Sequence, residues 1–294
     1  MLGAAAYLMW GLFPLYFPLL EPAGATEILA HRVFWSLVTM LVLILAVRRW
    51  GQLRRLLDDR RTVAILSGAA VVIAVNWGSY IWGVNNGHVV ETSLGYFINP
   101  LVTVLLGVAV LGERLRPLQW AALGLAGVAV VGLTVEYGRP PWVAIVLAFS
   151  FGSYGLAKKK ADTGAVESLT FETMVLAPFA LGYLVLLGAT GAATFTTEGA
   201  WHVVLLVATG VITAVPLICF GGAATRVSMT TLGLLQYVTP TLQFALGILV
   251  FHEPMPTLRW VGFGLVWVAL VIFTAESLTH RRRQLRLAVE ASAL

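Results

Sequence analysis

Long apolar stretches, separated by short polar ones, run along almost the whole chain. Ten of them have the roughly 17–25 residues that a helix needs to cross a bilayer. Glycine recurs inside these stretches, as it does in membrane helices. The first stretch follows no basic n-region, so we interpret it as a spanning helix and not as a secretory signal. The pattern predicts transmembrane helices at residues 3–20, 27–47, 62–86, 92–111, 118–136, 141–157, 167–188, 200–222, 229–251 and 258–277.

The two halves of the chain resemble each other at a constant offset of 140 residues, which aligns Gly24–Leu29 with Gly164–Leu169. Five spans per half is an odd number, so the halves would insert with opposite topology, as in many secondary transporters. We therefore predict inverted five-helix repeats at residues 1–138 and 139–294, the second ending in a short basic tail. The offset also aligns Pro100 with Pro240, Gly107 with Gly247, Glu113 with Glu253, Leu118 with Leu258, Trp120 with Trp260 and Gly124 with Gly264.

Composition and charge agree with a membrane location. The chain is 59% hydrophobic and 11% charged, whereas an average soluble domain is about 25% charged. If the N-terminus is cytoplasmic, only Arg32, Arg139 and Arg259 fall outside the cytoplasmic segments. The positive-inside rule then predicts that both termini lie in the cytoplasm. The net charge of +5 thus reflects topology and indicates no nucleic-acid partner. The basic run at residues 48–61 is predicted to be an amphipathic loop that anchors the topology on anionic lipid.

Two predicted spans place a proline beside polar residues, in "LGYFINPL" (Leu94–Leu101) and "LLQYVTPTL" (Leu234–Leu242). Each proline leaves the carbonyl four residues earlier without its helical partner, which is costly in lipid unless a cavity or a neighbouring side chain satisfies it. We predict hinges at Pro14, Pro100 and Pro240 beside a polar pathway, with helix kinks satisfied by adjacent helices as the alternative. The predicted pathway residues are Trp10, Asn76, Trp77, Tyr80, Tyr96, Asn99, Thr103, Tyr154, Gln236, Tyr237 and Gln243.

A few ionisable residues fall inside the predicted spans, where such residues usually have a function. His31 and Arg32 lie near the outer end of the second span, and Glu172 lies near the inner end of the seventh. The offset makes Arg32 and Glu172 equivalent positions near opposite membrane faces. Each is predicted to take part in a gate or to bind the charged end of a zwitterionic substrate, with snorkelling or local pairing as the alternative. Glu113 and Glu253 are predicted to cap helices or to pair within loops.

Several blocks of the sequence are similar to the RarD-type permeases of the EamA branch of the drug/metabolite transporter superfamily. The resemblance covers essentially the whole chain and implies ten helices in two inverted repeats, with export of small metabolites from the bacterial cytoplasm. Amino acids, aromatic ones included, are prominent substrates of this family, and the RarD name is associated with chloramphenicol. The blocks are "AHRVFWS" (Ala30–Ser36), "SLGYFINPLV" (Ser93–Val102), "LGERLRPLQW" (Leu111–Trp120), "FSFGSYGLAKKK" (Phe149–Lys160) and "TLGLLQYVTPTL" (Thr231–Leu242).

Other kinds of chemistry find little support in the sequence. There is no P-loop, no histidine or cysteine cluster with metal spacing, and no pair of acids placed for catalysis. We therefore predict no enzyme activity, metal or cofactor. The favoured hypothesis is a secondary transporter that exports small amphipathic metabolites, amino acids in particular, by alternating access, as a monomer or homodimer. A drug exporter, a channel and a membrane-embedded enzyme are the alternatives.

Overall fold

The computed structural model describes residues 2–112, 115–224 and 235–292, and all regular secondary structure in these ranges is helical. Most helix ends agree with the predicted spans to within a few residues, because apolar length sets where a helix can cross lipid. The helices are α1 (Leu2–Gly11), α2 (Phe13–Tyr16) with a following 3₁₀ turn (Phe17–Leu20), α3 (Ala25–Ala46), α4 (Trp50–Asp58), α5 (Arg60–Asn85), α6 (Val89–Leu111), α7 (Pro117–Tyr137), α8 (Trp142–Ala161), α9 (Ala165–Thr190), α10 (Gly199–Ala224), α11 (Val238–Leu249) and α12 (Thr257–Ser292).

Many of these helices suit a membrane by length and composition. Among the described residues, seven are long and apolar enough to cross a bilayer, and the bent pair Leu2–Gly11 and Phe13–Leu20 makes an eighth. Two shorter apolar helices, Trp142–Lys158 and Val238–Leu249, lie where the sixth and ninth spans are predicted. Large apolar side chains such as Val135 and Phe179 are 73% and 76% exposed, as lipid-facing residues are. The prediction of an all-helical membrane protein is confirmed.

The first span is bent and does not form one straight helix. Helical geometry breaks at Leu12, and the two pieces meet at an angle of 45°. Pro14 occupies the first turn of the second piece, where its missing N–H leaves no hydrogen bond unmade. The predicted hinge residue therefore lies at the bend itself.

The two aligned prolines differ in their helices. The helix α6 runs through Pro100 without a break, so the carbonyl of Tyr96 lacks the backbone partner that another residue at position 100 would supply. Pro240 instead lies in the first turn of α11, after a turn at Gln236–Tyr237. Residues 229–234 of the predicted ninth span lie outside the described residues.

One helix was not predicted. The basic segment that the sequence assigns to a loop contains α4, where Leu53 and Leu56 are buried. They pack in a cluster with Ile44, Leu66 and Phe171, while the arginines between them are exposed. The segment is amphipathic, as predicted, but tertiary packing makes nine residues helical where isolated helices of that length are marginal.

The packing of the core joins residues from both halves. Phe97 of α6, Phe244 of α11 and Phe263 of α12 belong to one buried cluster, in which the Phe244 and Phe263 rings lie 4.7 Å apart. A Cβ on Gly247 would lie 2.7 Å from Cγ2 of Val90, so α11 and α6 approach closely only because residue 247 lacks a side chain.

Polar contacts group the loops at two ends of the molecule. We call one the Glu253 end, comprising residues 21–27, 86–91, 136–143, 191–199 and 250–259. There Arg139 pairs with Glu91 at 2.9 Å, and Nε of Arg259 lies 3.0 Å from Glu136 Oε2. The other, which we call the Glu167 end, comprises residues 47–62, 115–117 and 161–168. The ion pair of Arg49 with Glu167 lies there, at 3.3 Å.

Candidate functional site

A buried arginine lies between three helices. Arg32 of α3 is 5% exposed, and its Nε donates a hydrogen bond of 3.0 Å to Oγ1 of Thr213 on α10. Thr213 in turn donates its hydroxyl proton to the carbonyl of Thr209, at 2.8 Å. The guanidinium carbon lies 4.3 Å from the ring centroid of Trp77 on α5. Stacking and hydrogen bonding together hold the head of Arg32 in place.

Aromatic residues surround this arginine. The ring centroids of Phe13 and Phe17 lie 5.6 and 5.8 Å from its guanidinium carbon. The phenol groups of Tyr16, Tyr80 and Tyr96 interact electrostatically with the guanidinium. Among the residues that the structure describes, no carboxylate pairs with Arg32. The charge is therefore surrounded by aromatic side chains, which we call the aromatic chamber, and has no carboxylate partner in the part of the chain that the structure describes.

Gln243 connects the second half of the chain to this chamber. Its Nε2 donates to the Tyr80 hydroxyl at 2.9 Å and to the Trp10 carbonyl at 3.2 Å. The residue is 1% exposed, and its Oε1 has no partner among the described residues. Three predicted pathway residues thus meet where α1, α5 and α11 converge.

Asn76 has an evident packing role. Its Nδ2 donates to the Leu147 carbonyl at 3.1 Å and to Ser150 Oγ at 2.9 Å, which ties α5 to α8. Its Oδ1 accepts a long hydrogen bond of 3.4 Å from the Tyr96 hydroxyl. Asn76 therefore holds α5 and α8 together and also binds the hydroxyl of Tyr96.

A row of aromatic rings leads from the chamber to a second charged group. The Tyr80 and Tyr96 centroids lie 5.8 Å apart, the Tyr96 and Phe151 centroids 6.1 Å, and the Phe151 and Tyr154 centroids 6.3 Å. The Tyr154 hydroxyl donates to Glu172 Oε2 at 2.8 Å. The sequence analysis missed Phe151, whose position three residues before Tyr154 was the available signal.

Glu172 is compensated within the chain. Its Oε1 lies 2.7 Å from Nζ of Lys158, and Lys158 also donates to the Ser168 hydroxyl. The carboxylate is 1% exposed and the lysine side chain 24% exposed. Local pairing, the stated alternative, therefore describes Glu172, and Lys158 is a partner that the sequence analysis counted only as a topology signal. Of the equivalent positions 32 and 172, the second thus has an ionic partner and the first has none among the described residues.

Other predicted residues lie away from the chamber. The His31 ring stacks on Phe195 at 4.8 Å, and neither ring nitrogen has a partner in the described part of the chain. The Tyr237 hydroxyl lies 3.5 Å from Oγ1 of Thr274, in the packing of α11 on α12. Thr103 is exposed, Gln236 lies in the turn before α11, and Asn99 is buried with its Oδ1 unpartnered among the described residues.

At the Glu253 end, a carboxylate from the second half caps a helix of the first. Glu253 accepts hydrogen bonds from the backbone N–H groups of Val89 and Val90, the latter at 3.0 Å, at the start of α6. Burial raises the pKa of Glu253 to about 7, although both N–H groups favour the ionised form. Burial also lowers the pKa of His88 next to this contact. The prediction that Glu253 caps or pairs is confirmed, and Glu113 lies outside the described residues.

Comparison with known proteins identifies a transporter family. The sequence model of the EamA-like transporter family matches residues 1–135 and again residues 140–275. The chain is 58% identical to the protein RarD of Streptomyces exfoliatus, over 99% of this chain and 92% of that protein. It is 42% identical to the protein RarD of Escherichia coli K12, over 96% of each chain.

Two more distant proteins add to this. The chloramphenicol-sensitive protein RarD of Pseudomonas aeruginosa is 31% identical, over 97% of this chain and 96% of that protein. A protein of known crystal structure is 18% identical and superposes with a TM-score of 0.61, covering 93% of this chain and 96% of its own. At that identity, the superposition shows a shared fold and nothing about the ligand.

Proposed function

Because the chain belongs to the EamA-like transporter family, as a RarD-type permease, we propose that it exports small amphipathic metabolites across the bacterial inner membrane. Amino acids, aromatic ones included, are the proposed substrates. The observation that carries this proposal is the aromatic chamber around Arg32, with the amide of Gln243 at its side. Apolar walls with a few convergent polar groups are the usual composition of a site for a small amphipathic ligand.

Both halves of the chain contribute to the chamber. Trp77 and Tyr80 belong to residues 1–138, while Thr213 and Gln243 belong to residues 139–294. Transporters built from inverted repeats bind their substrates at the interface between the repeats. The composition of the chamber therefore supports the proposed division into two repeats.

We also propose ten transmembrane helices with both termini in the cytoplasm. The bent first span and the short helices α8 and α11 supplement the seven long apolar helices. The family match in each half and the offset of 140 residues support two five-helix repeats. The Glu167 end, which is rich in arginine, would then face the cytoplasm.

Counterflow into proteoliposomes tests the proposed substrate. Vesicles loaded with an unlabelled amino-acid mixture should take up labelled phenylalanine, leucine or tryptophan faster than protein-free vesicles do, and uptake should saturate. Substitution Tyr96→Ala or Gln243→Ala should change KM or rate by about tenfold or more, as expected for loss of a ligand contact of about 1.4 kcal/mol. The matched control is Trp142→Ala, since Trp142 is 39% exposed on the outer surface of the bundle.

The same assay separates the alternatives. A drug exporter is the second candidate, because a relative of 31% identity is named for chloramphenicol sensitivity. Labelled chloramphenicol therefore belongs in the panel. Uptake of chloramphenicol or of another metabolite class, with no amino-acid uptake, would overturn the proposed substrate. Flux that does not saturate and shows no counter-stimulation would indicate a channel.

A further inference from the structure

We infer that Arg32 binds the carboxylate of the transported molecule, and that the molecule carries this carboxylate on an apolar or aromatic body. The inference deepens the proposed function and depends on it for the identity of the chamber as the transport site. It adds that the anionic group is required for recognition and that an amino group is dispensable.

The buried guanidinium of Arg32 has no counter-ion among the described residues. A guanidinium that is 5% exposed has lost most of its hydration, and a buried charge is costly unless an opposite charge compensates it. Among the described residues, the guanidinium of Arg32 contacts one hydroxyl and three aromatic rings, all neutral. Of the residues outside the described ranges only Glu113 is acidic, and in the sequence it follows Gly112, at the other end of α6 from the Glu253 cap. An anion from outside the chain would supply the compensation.

The second argument is the number of open donors. A guanidinium has five N–H groups in a planar fork, and Nε uses the only one on that atom to bind Thr213. The four on the two terminal nitrogens have no acceptor among the described residues. Such a fork matches the two oxygens of a carboxylate, which can accept two parallel hydrogen bonds. Because Trp77 covers one face of the guanidinium, the carboxylate would approach in its plane.

The described residues of the chamber include no carboxylate that could bind a cation as Arg32 binds an anion. The buried carboxylate nearest along the aromatic row belongs to Glu172, and Lys158 and Tyr154 already occupy its two oxygens. Trp77, a face on which an ammonium could lie, is covered by Arg32. Among the described residues, the acceptor without a partner that the chamber offers to a ligand ammonium is the neutral Oε1 of Gln243. This asymmetry is why the carboxylate is expected to dominate recognition.

The aromatic side chains around Arg32 indicate that the rest of the ligand is apolar. The Phe13 and Phe17 ring centroids lie 5.6 and 5.8 Å from the guanidinium carbon of Arg32, and the phenol groups of Tyr80 and Tyr96 interact with it electrostatically. A ring or a branched aliphatic group near the carboxylate would leave water and pack against these side chains, which is favourable for apolar surface. Small inorganic anions would satisfy the charge but would leave the walls unfilled.

Ligand binding to purified wild-type protein in detergent tests the inference without requiring transport. Four probes share one ring and differ in charge: 3-phenylpropionate, phenylalanine, phenylalaninamide and phenethylamine. The readouts are the shift in melting temperature and the quenching of tryptophan fluorescence, to which Trp77 contributes. We expect both carboxylates to bind and both compounds without a carboxylate to bind at least tenfold more weakly. Equal binding of phenethylamine would overturn the inference, as would equal protection by acetate or chloride.

Substitution of the arginine supplies the second arm. Arg32→Gln should weaken binding of 3-phenylpropionate by about 10- to 100-fold, the usual range for a charge-assisted hydrogen bond, and Arg32→Lys should retain part of the affinity. Without ligand, Arg32→Gln should melt at the same or a higher temperature, because an uncompensated charge is removed. The control is Arg259→Gln, which removes the ionic partner of the partly buried Glu136 and should melt at a lower temperature.

A purely structural role for Arg32 predicts the opposite pattern. Arg32→Gln would then lower the melting temperature while leaving ligand affinity unchanged, and that result would overturn the inference. If neither variant can be purified, the four-probe comparison on the wild type still decides. Arg32-dependent carboxylate binding without amino-acid transport would refute the proposed substrate and leave the inference standing. Amino-acid transport that does not depend on Arg32 would refute the inference and leave the proposed substrate standing.

Discussion

Glu253 couples the protonation of one carboxyl to a contact between the two halves. Its pKa is raised from 4.5 to about 7, so in this interval the folded protein holds a proton that the unfolded chain has released. Stability from this group is therefore complete below pH 4.5 and is lost as the pH rises to about 7. We predict that Glu253→Gln removes this pH dependence, because glutamine does not titrate.

Melting curves of wild type and Glu253→Gln in detergent, recorded from pH 4.5 to 8, measure the effect. The melting temperature of the variant minus that of the wild type should increase by a few degrees between pH 4.5 and 7 and stay constant above. His88 titrates in both proteins, so the difference cancels its contribution. Parallel curves over the whole range would contradict the assigned pKa.

Individual residues show where sequence reasoning about the site reaches its limit. Helical spacing was enough to select Trp77, Tyr80 and Gln243, which meet around one chamber. Spacing could not tell that Glu172 has Lys158 as an ionic partner while Arg32 has no carboxylate partner among the described residues, because these contacts join different helices. Whether a buried charge is compensated depends on tertiary packing, so the same pattern of residues gave two candidates of equal weight.

At the scale of the helix, Pro100 is predicted to affect the rate of transport, unlike a proline on the outer surface. It lies inside α6, one turn after Tyr96, and is buried. Pro100→Ala would supply an N–H to the Tyr96 carbonyl and stabilise a regular helix by roughly 1 kcal/mol. If α6 bends during transport, this added stability raises the barrier, and we predict a turnover about fivefold lower with little change in binding affinity.

The control for this prediction is Pro178→Ala. Pro178 also lies inside a helix, α9, but it is exposed on the outer surface. Counterflow rates and ligand affinities of both variants, measured in the same lipid, separate the cases. Equal rates for the two variants would show that the bend at Pro100 has no role in turnover, and a large change in affinity would instead place Pro100 at the ligand.

Helix bounds follow from the sequence wherever apolar length alone sets them, as in α5 and α9. Helix bounds cannot be predicted in this way where contacts with other helices bend, break or form a helix. The break at Leu12 and the turn at Gln236–Tyr237 depend on how prolines pack against other helices. The helix α4 depends on a hydrophobic surface that exists only after folding.

At the scale of the whole molecule, the distribution of basic residues over the two ends makes a prediction about orientation. The loops of the Glu253 end contain two basic residues, Arg139 and Arg259, whereas α4 and its flanking residues at the Glu167 end contain six arginines between positions 48 and 61. Translocating many cations against the positive-inside preference is unfavourable. The Glu167 end should therefore be cytoplasmic and the Glu253 end periplasmic or extracellular.

Single cysteines at the two ends test this orientation directly. In a Cys219→Ala background, which removes the only native cysteine, Glu198→Cys places a thiol at the Glu253 end and Gln52→Cys places one at the Glu167 end. Both parent residues are exposed. A membrane-impermeant maleimide should label position 198 in intact cells and position 52 only after the membrane is permeabilised. The reverse labelling would invert the orientation, and with it the direction in which Arg32 meets its ligand. Labelling of both positions in intact cells would contradict the placement of these segments at opposite membrane faces.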